Sequence, residues 1–309
     1  MILTVTLNPA IDRTVHIEDF KEGKLNRVKS ARIDPGGKGI NVSKALSTYG
    51  VEQKATGMLA GMNGRHLLTL LDKYEFPKEF MMVSGETRVN IKINDLKTGL
   101  VTEINETGPE IQKDDAEEFM KLLKKQLQNC DIMILSGSLP KGLPSDFYAR
   151  CIKMAADMNV LSILDSDGEA LKLGCNALPF AIKPNLVEFE RLTGKTLSDV
   201  KEIRDEMKAL QETGIELILV SMGKDGSILS YRNKTYHAMP LHVKVKSTVA
   251  SGDSMVAALA YCVKNDFPPE EIAKITSAAG SLTAALDGSD MSGWNDIKDV
   301  YREVNIQEI

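Results

Sequence analysis

The feature that most limits how this chain can fold is a set of short, uninterrupted apolar runs separated by stretches of helical spacing. The runs lie at 2–7 (ILTVTL), 131–135 (DIMIL), 160–165 (VLSILD), 179–182 (PFAI) and 215–220 (IELILV). A strand that does not alternate polar with apolar is buried on both faces, as in a parallel sheet covered by helices on each side. Between the runs, Val42, Ala45, Leu46 and Tyr49 recur at the spacing of one helix face after Gly39. Phe119, Leu122, Leu123 and Leu127 do the same within 114–128. Strand alternating with helix predicts an α/β fold, a doubly wound, mostly parallel sheet flanked by helices. The final third reads as helices over 252–265, 268–286 and 292–303. The 309 residues suffice for one such core with a smaller appendage.

Two blocks break this pattern. Residues 12–34 are polar and turn-rich, with alternation at Thr14, Val15, His16 and Ile17. The block 80–105 contains Arg88, Val89, Asn90, Ile91, Lys92 and Ile93, alternating at period two. Alternation marks strands with one exposed face, so these blocks are expected to form a small sheet outside the main core.

Charge and composition narrow the function classes. The net charge of −5 gives no general attraction for nucleic acid or acidic lipid, so an anionic substrate needs a local basic cluster. Aromatic residues are only 5% of the chain, too few for the stacking platforms of single-strand binders. No apolar run reaches the ~18 residues of a membrane helix. The opening MILTVTLNPAID lacks the basic region and cleavage site of a signal peptide. Cys130, Cys151, Cys175 and Cys262 form no CxxC pair and are expected to be buried free thiols. The expectation is a soluble cytoplasmic protein.

Ligands of doubly wound sheets bind at the carboxyl ends of the strands, and the motifs cluster there. In 247–255 (STVASGDSM), Gly252 and Asp253 open a segment that is apolar nearly all round. Backbone amides at a helix start bind anions, and a carboxylate in that first turn can accept the proton of an attacking hydroxyl. The helix dipole is expected to hold that carboxylate in its charged form, making it a weak base. Asp is also an ordinary N-cap residue, and this motif alone leaves both readings open. The stretch 35–41 (PGGKGIN) places three glycines around Lys38 at a helix start. It is not a Walker loop, because Gly39 rather than Ser or Thr follows the lysine. Gly194, Lys195 and Thr196 are no Walker loop either, since Phe189 stands where its first glycine belongs. Three further groups follow strands: 136–140 (SGSLP), 183–188 (KPNLVE) and 221–226 (SMGKDG). Each by itself could be a turn or cap. Arg27, Lys38 and Arg88 would clamp a phosphate if they converge, and are surface charges if they do not.

Together, TLNPAID, GGKGIN, SGSLP, KPNLVE, SMGKDG and SGDSMVAA resemble the PfkB (ribokinase-like) carbohydrate kinase family over essentially the whole chain. Within it, TVTLNPAID, NRV at 26–28, ETRVNIKI, TEINETGPEI and SGSLPKGLP are similar to 1-phosphofructokinases and tagatose-6-phosphate kinases. The resemblance implies a ribokinase-like fold with a lid formed by about 12–34 and 87–105 on a single domain spanning 1–309. It implies ATP and Mg²⁺, a homodimer through the lid, and phosphorylation of a ketohexose phosphate, first of all fructose 1-phosphate.

Residue by residue, the resemblance makes Asp253 the base, with Gly252, Ser251 and Ala250 forming the anion-hole loop. Asp12, Gly37 and Asn41 would hold sugar hydroxyls, and Lys38, Arg27, Arg88 and Ser138 the substrate phosphate. Lys183, Asn185, Ser221, Gly223 and Gly226 would line the nucleotide site, with Gly252 at its phosphate end. Glu188 would organise Mg²⁺ through water. The chain departs from the subgroup's VGAGDS: Ala250 replaces a glycine and Ser251 an alanine. Ala258 stands where a glycine is common, and Asp167 where a serine is common. If the first of these positions needs positive φ, alanine is strained there. The rival of another class is a catalytically weak or silent sugar- or nucleotide-binding regulator. A kinase for neutral sugars or nucleosides would have no need of the basic residues.

Overall fold

The structure is a computed structural model describing residues 1–309. Its first strands are β1 (Ile2–Thr6), β2 (Ala10–Ile17), β3 (Ser30–Gly36), β4 (Gln53–Ala60), β5 (Lys78–Val83), β6 (Arg88–Asp95) and β7 (Val101–Asn105). Then come β8 (Ile132–Ser136), β9 (Leu161–Asp165), β10 (Ala181–Ile182), β11 (Leu217–Ser221), β12 (Ser227–Tyr231), β13 (Lys234–Ala238) and β14 (Ile306–Glu308). The helices are α1 (Lys38–Thr48), α2 (Gly61–Leu71), α3 (Lys113–Gln126), α4 (Phe147–Asp157) and α5 (Gly168–Cys175). They continue as α6 (Leu186–Thr193), α7 (Val200–Gln211), α8 (Ser251–Lys264), α9 (Pro269–Ala284) and α10 (Trp294–Val300).

Ten strands form one sheet in the order β14-β13-β12-β11-β10-β9-β8-β1-β4-β5. From β5 to β11 every neighbouring pair is parallel. From β11 to β14 the pairs are antiparallel. The strand period divides the core in two. Leu3, Val5, Met133, Leu135, Leu164, Ile218 and Val220 pack against α3, α4, α6 and α7 through Phe119, Tyr148, Phe189 and Met207. Ile2, Ile132, Ile134, Ile163, Leu217 and Leu219 face α1, α8 and α9 through Leu46, Val256 and Ile275. Burial on both faces is why these strands carry continuous apolar runs. No helix is long and apolar enough to cross a membrane. All four cysteines are free and buried.

The second sheet has the order β3-β2-β6-β7, with β2 parallel to β6. Its root is anchored: Ile11 packs with Ile40, Leu59 and Leu67 of the main body. Its outer part has only the buried trio Val15, Ile17 and Ile93. The block 80–105 therefore does not belong wholly to this sheet. Its first part, β5, pairs with β4 at the edge of the large sheet, and the mixed run KEFMMV suits a strand with one neighbour. The hairpin β12–β13 and the closing strand β14 extend the large sheet beyond the runs read from sequence.

Candidate active site

A cleft of about 940 Å³ lies between the carboxyl ends of the parallel strands and the small sheet. One wall begins at α8. Ala250 is the N-cap and adopts a left-handed conformation, φ 62° and ψ −2°. The chain reverses there, and the N–H groups of Gly252 and Asp253 have no backbone acceptor. Free amides at a helix start face outward along the axis, so this end has the geometry to cradle an anion. A Cβ placed on Gly252 would lie 3.3 Å from Lys183 Nζ, so any side chain there would crowd the amine.

Asp253 is 7% exposed, and Asn41 Nδ2 donates to its Oδ2 at 2.8 Å. Burial, then the nearby charge of Asp165, pushes the carboxyl up to about 6, against the pull of Lys38, Asn41 and Lys183. The expectation of an ordinary weak base is corrected: burial and the charge of Asp165 raise this carboxyl. Asp165, at the end of β9, is also buried. Lys38 Nζ and Lys183 Nζ each approach its Oδ1 at 3.3 Å, and Ser136 Oγ donates to Oδ2 at 3.0 Å. Burial alone would raise Asp165, but Lys183 and Lys38 overcome it and hold the carboxyl below its usual value. Lys38 and Lys183 together balance two carboxylates, Asp165 and the nearby Asp253.

The opposite wall comes from the small sheet. Arg88, Asn90 and Lys92 project into the cleft at period two along β6. Asn90 Nδ2 donates to Asp12 Oδ1 at 3.0 Å, and Lys92 Nζ to Asp12 Oδ2 at 3.3 Å. Arg88 donates to the Asn8 carbonyl from Nε (3.2 Å) and Nη2 (3.0 Å), and burial lowers its guanidinium from the usual value.

The model of the pfkB family of carbohydrate kinases matches residues 5–294. A 1-phosphofructokinase of Bacillus subtilis is 39% identical over 284 residues, 92% of each chain. A tagatose-6-phosphate kinase of Staphylococcus epidermidis is 35% identical and covers 100% of both chains. The chain belongs to the pfkB family of carbohydrate kinases. Among solved structures, phosphofructokinase-2 of Escherichia coli in complex with potassium matches this pfkB kinase with a TM-score of 0.91 at 26% identity, over 98% of both chains.

Most of the residues singled out in the sequence of this pfkB kinase line the one cleft. Asp12, Gly37, Lys38, Asn41, Arg88, Lys183, Asn185, Glu188, Ser221, Gly223, Gly226 and the loop 250–253 all do so. Gly37, the N-cap of α1, has φ 115°, and a Cβ there would meet Thr6 and Pro9 at 3.0–3.1 Å. Asn185 and Glu188 form a reciprocal capping box at the start of α6, so their NxxE spacing has a structural role. Two residues lie elsewhere. Ser138 is exposed at the rim, where its Oγ accepts from Asn8 Nδ2 at 3.2 Å. Arg27 is exposed on the loop between β2 and β3 and does not line the cleft that Lys38 and Arg88 line. Asn26 folds that loop on itself, bonding the Lys21 N–H and the carbonyls of Lys21 and Lys24.

The sequence reading missed Asp165, Lys44, Asn90 and Lys92. The signal for Asn90 and Lys92 was the alternation that already presented Arg88. For Asp165 it was an acidic residue ending an apolar strand. For Lys44 it was a cation three residues after Asn41 on a helix otherwise buried there.

Proposed function

We propose that this chain transfers the γ-phosphoryl group of ATP to a ketohexose phosphate, with fructose 1-phosphate as the preferred acceptor and fructose 1,6-bisphosphate as product. The observation that carries this reading is the buried Asp253 carboxylate beside two unpaired amides, facing a wall that presents Arg88 and Lys92. Asp253 takes the proton of the attacking primary hydroxyl. Asn41 orients that carboxylate. The amides of Gly252 and Asp253, with Lys183 and Lys38, gather charge on the phosphoryl group in flight. Asp12, pinned by Asn90 and Lys92, holds sugar hydroxyls. Arg88 holds the substrate phosphate at the other end.

The residues fit Mg²⁺ only indirectly. No group of three or more His, Cys, Asp or Glu side chains is placed to hold a metal. Glu188 lines the cleft, but one carboxylate oxygen accepts from the Asn185 N–H at 2.8 Å. Mg²⁺ keeps several waters and prefers nucleotide phosphates, so Glu188 would hold it through water, and the ion would neutralise charge on the phosphates.

The small sheet serves as a lid, since its outer part is held by three buried side chains. It also suits contact with a second copy, because Val28, Ile33, Leu96, Leu100 and Ile104 are 41–68% exposed on it. Large apolar side chains gathered on one exposed element mark interaction surfaces.

A coupled ADP-release assay across fructose 1-phosphate, fructose 6-phosphate, tagatose 6-phosphate and ribose tests the proposal. The highest kcat/KM is expected for fructose 1-phosphate. Higher kcat/KM for tagatose 6-phosphate would move the chain to the second reading, favoured by the full-length match to the Staphylococcus enzyme. ATP binding with no turnover of any phosphorylated ketohexose would sink both and leave a regulator.

A further inference from the structure

Lys44 carries a charge where α1 is buried. The residue is 2% exposed, and an amine so placed must be fully bonded or lose its proton. Its Nζ donates to the Ser289 carbonyl (2.7 Å), to Ser289 Oγ (3.0 Å) and to Asn41 Oδ1 (3.0 Å). The Tyr74 ring centre lies 5.9 Å away. Three donors therefore meet three acceptors, none of them a carboxylate.

The consequence falls on Asn41. Its carboxamide has a donor end and an acceptor end of nearly equal shape. With Oδ1 taken by Lys44, Nδ2 is the end that faces Asp253. Turned the other way, the amide would set its oxygen against the carboxylate and its NH₂ against the ammonium, repulsive at both ends. We infer that Lys44 is a positioning residue for phosphoryl transfer: it locks the Asn41 carboxamide so that its nitrogen donates to the base. This rests on Asp253 being the base.

The charges around the relay fit that role. Burial lowers the Lys44 ammonium to about 8, while Asp34 on β3, Asp12 on β2, Asp290 and Asp253 keep it from falling further. Asp34 and Asp290 are themselves paired with Arg32. Lys73 also acts on Asp290. Asp253 faces Asp165 from β9, Lys38 from α1, and Lys183 just after β10. At neutral pH the amine is mostly charged, and Asn41 stays polarised toward the base.

The test is the pH profile of kcat/KM for the sugar phosphate in Lys44→Met and Lys44→Arg. In Lys44→Met the base loses an oriented donor to its charged form, so the acid limb should move up by about one pH unit. At pH 6 that alone lowers kcat/KM about fivefold. KM for both substrates should stay within about twofold. Lys44→Arg keeps a cation and its donors and should return the limb toward wild type. A merely structural role would lower the melting temperature and the active fraction alike at every pH, without moving the midpoint. An unmoved midpoint in folded Lys44→Met therefore overturns the inference.

Should that variant not melt cooperatively, the wild-type protein carries the test by NMR. The Asn41 side-chain amide, assigned by its loss in Asn41→Leu, should titrate in two steps, near 6 with Asp253 and near 8 with Lys44. A single step near 6 overturns the inference. Near-normal turnover of Asp253→Asn would instead sink the base assignment. An inactive Asp253→Asn with an unmoved Lys44→Met sinks only the relay.

Discussion

The two walls of the cleft are built differently. On the strand-end wall, Asn41, Asp165, Lys183 and Asp253 are all buried, and each is bonded or ion-paired to a residue from another element. On the small-sheet wall, Arg88, Asn90 and Lys92 are only partly buried, and the outer sheet rests on Val15, Ile17 and Ile93. The difference teaches where each task can be placed. Proton transfer needs a carboxylate held in one geometry with its pKa raised by enclosure. Recognition of a diffusing sugar phosphate needs a surface that can open, which thin packing permits.

The largest effect that would break or sharpen this division is on the buried wall. Asp253→Asn should lower kcat about 10²–10⁴-fold while leaving ATP affinity within about threefold. The matching change across the cleft, Arg88→Ala, should mainly raise the KM for the sugar phosphate, by about 10- to 100-fold for one charged contact. Steady-state kinetics with both substrates varied separates the two. If Arg88→Ala lowers kcat as steeply as Asp253→Asn, the walls do not divide the labour.

A smaller effect is the pH response of the buried wall. In the proposed role Asp253 can take a proton only when ionised, and its carboxyl is raised to about 6. Activity should therefore be full above that value and fall as pH drops through it, because the carboxyl then takes up a proton. A kcat/KM profile whose acid limb lies near the ordinary Asp value of ~3.9 would show that burial does not govern this group.

The same division explains what could be read from sequence. The double-sided sheet was legible because β1, β8 and β9 are buried on both faces and carry unbroken apolar residues. Strand β12 was not. Its SILSY interior includes Ser230, whose hydroxyl donates to Gln211 Oε1 at 2.7 Å and lies 3.0 Å from the Thr235 hydroxyl. Satisfied polar groups inside a sheet erase the apolar signature. Gly252 and Asp253 stood out because a glycine at a helix start is a local signal. Asp165 did not, because its meaning depends on Lys38 and Lys183, which only folding brings to it. The raised Asp253 pKa was misjudged for a related reason: the dipole belongs to the helix and is visible locally, whereas burial and Asp165 are tertiary facts.

The smallest predicted effect asks whether the buried wall carries strain. Ala250 holds a left-handed conformation at φ 62°, where a β-carbon costs roughly 1–2 kcal/mol. Ala250→Gly removes that cost but frees the unfolded chain, returning roughly 0.5–1 kcal/mol. The net should be a gain of about 0.5–1 kcal/mol, or about 1 °C in melting temperature for a chain of this size. Because glycine can keep the same φ and ψ, the amides of Gly252 and Asp253 should stay in place and kcat should change by less than about twofold. A lower melting temperature would mean that packing of the Ala250 methyl group, 9% exposed in the wall, outweighs the backbone strain. A raised kcat with a raised melting temperature would mean that the alanine holds the anion cradle slightly away from the geometry the phosphoryl group needs.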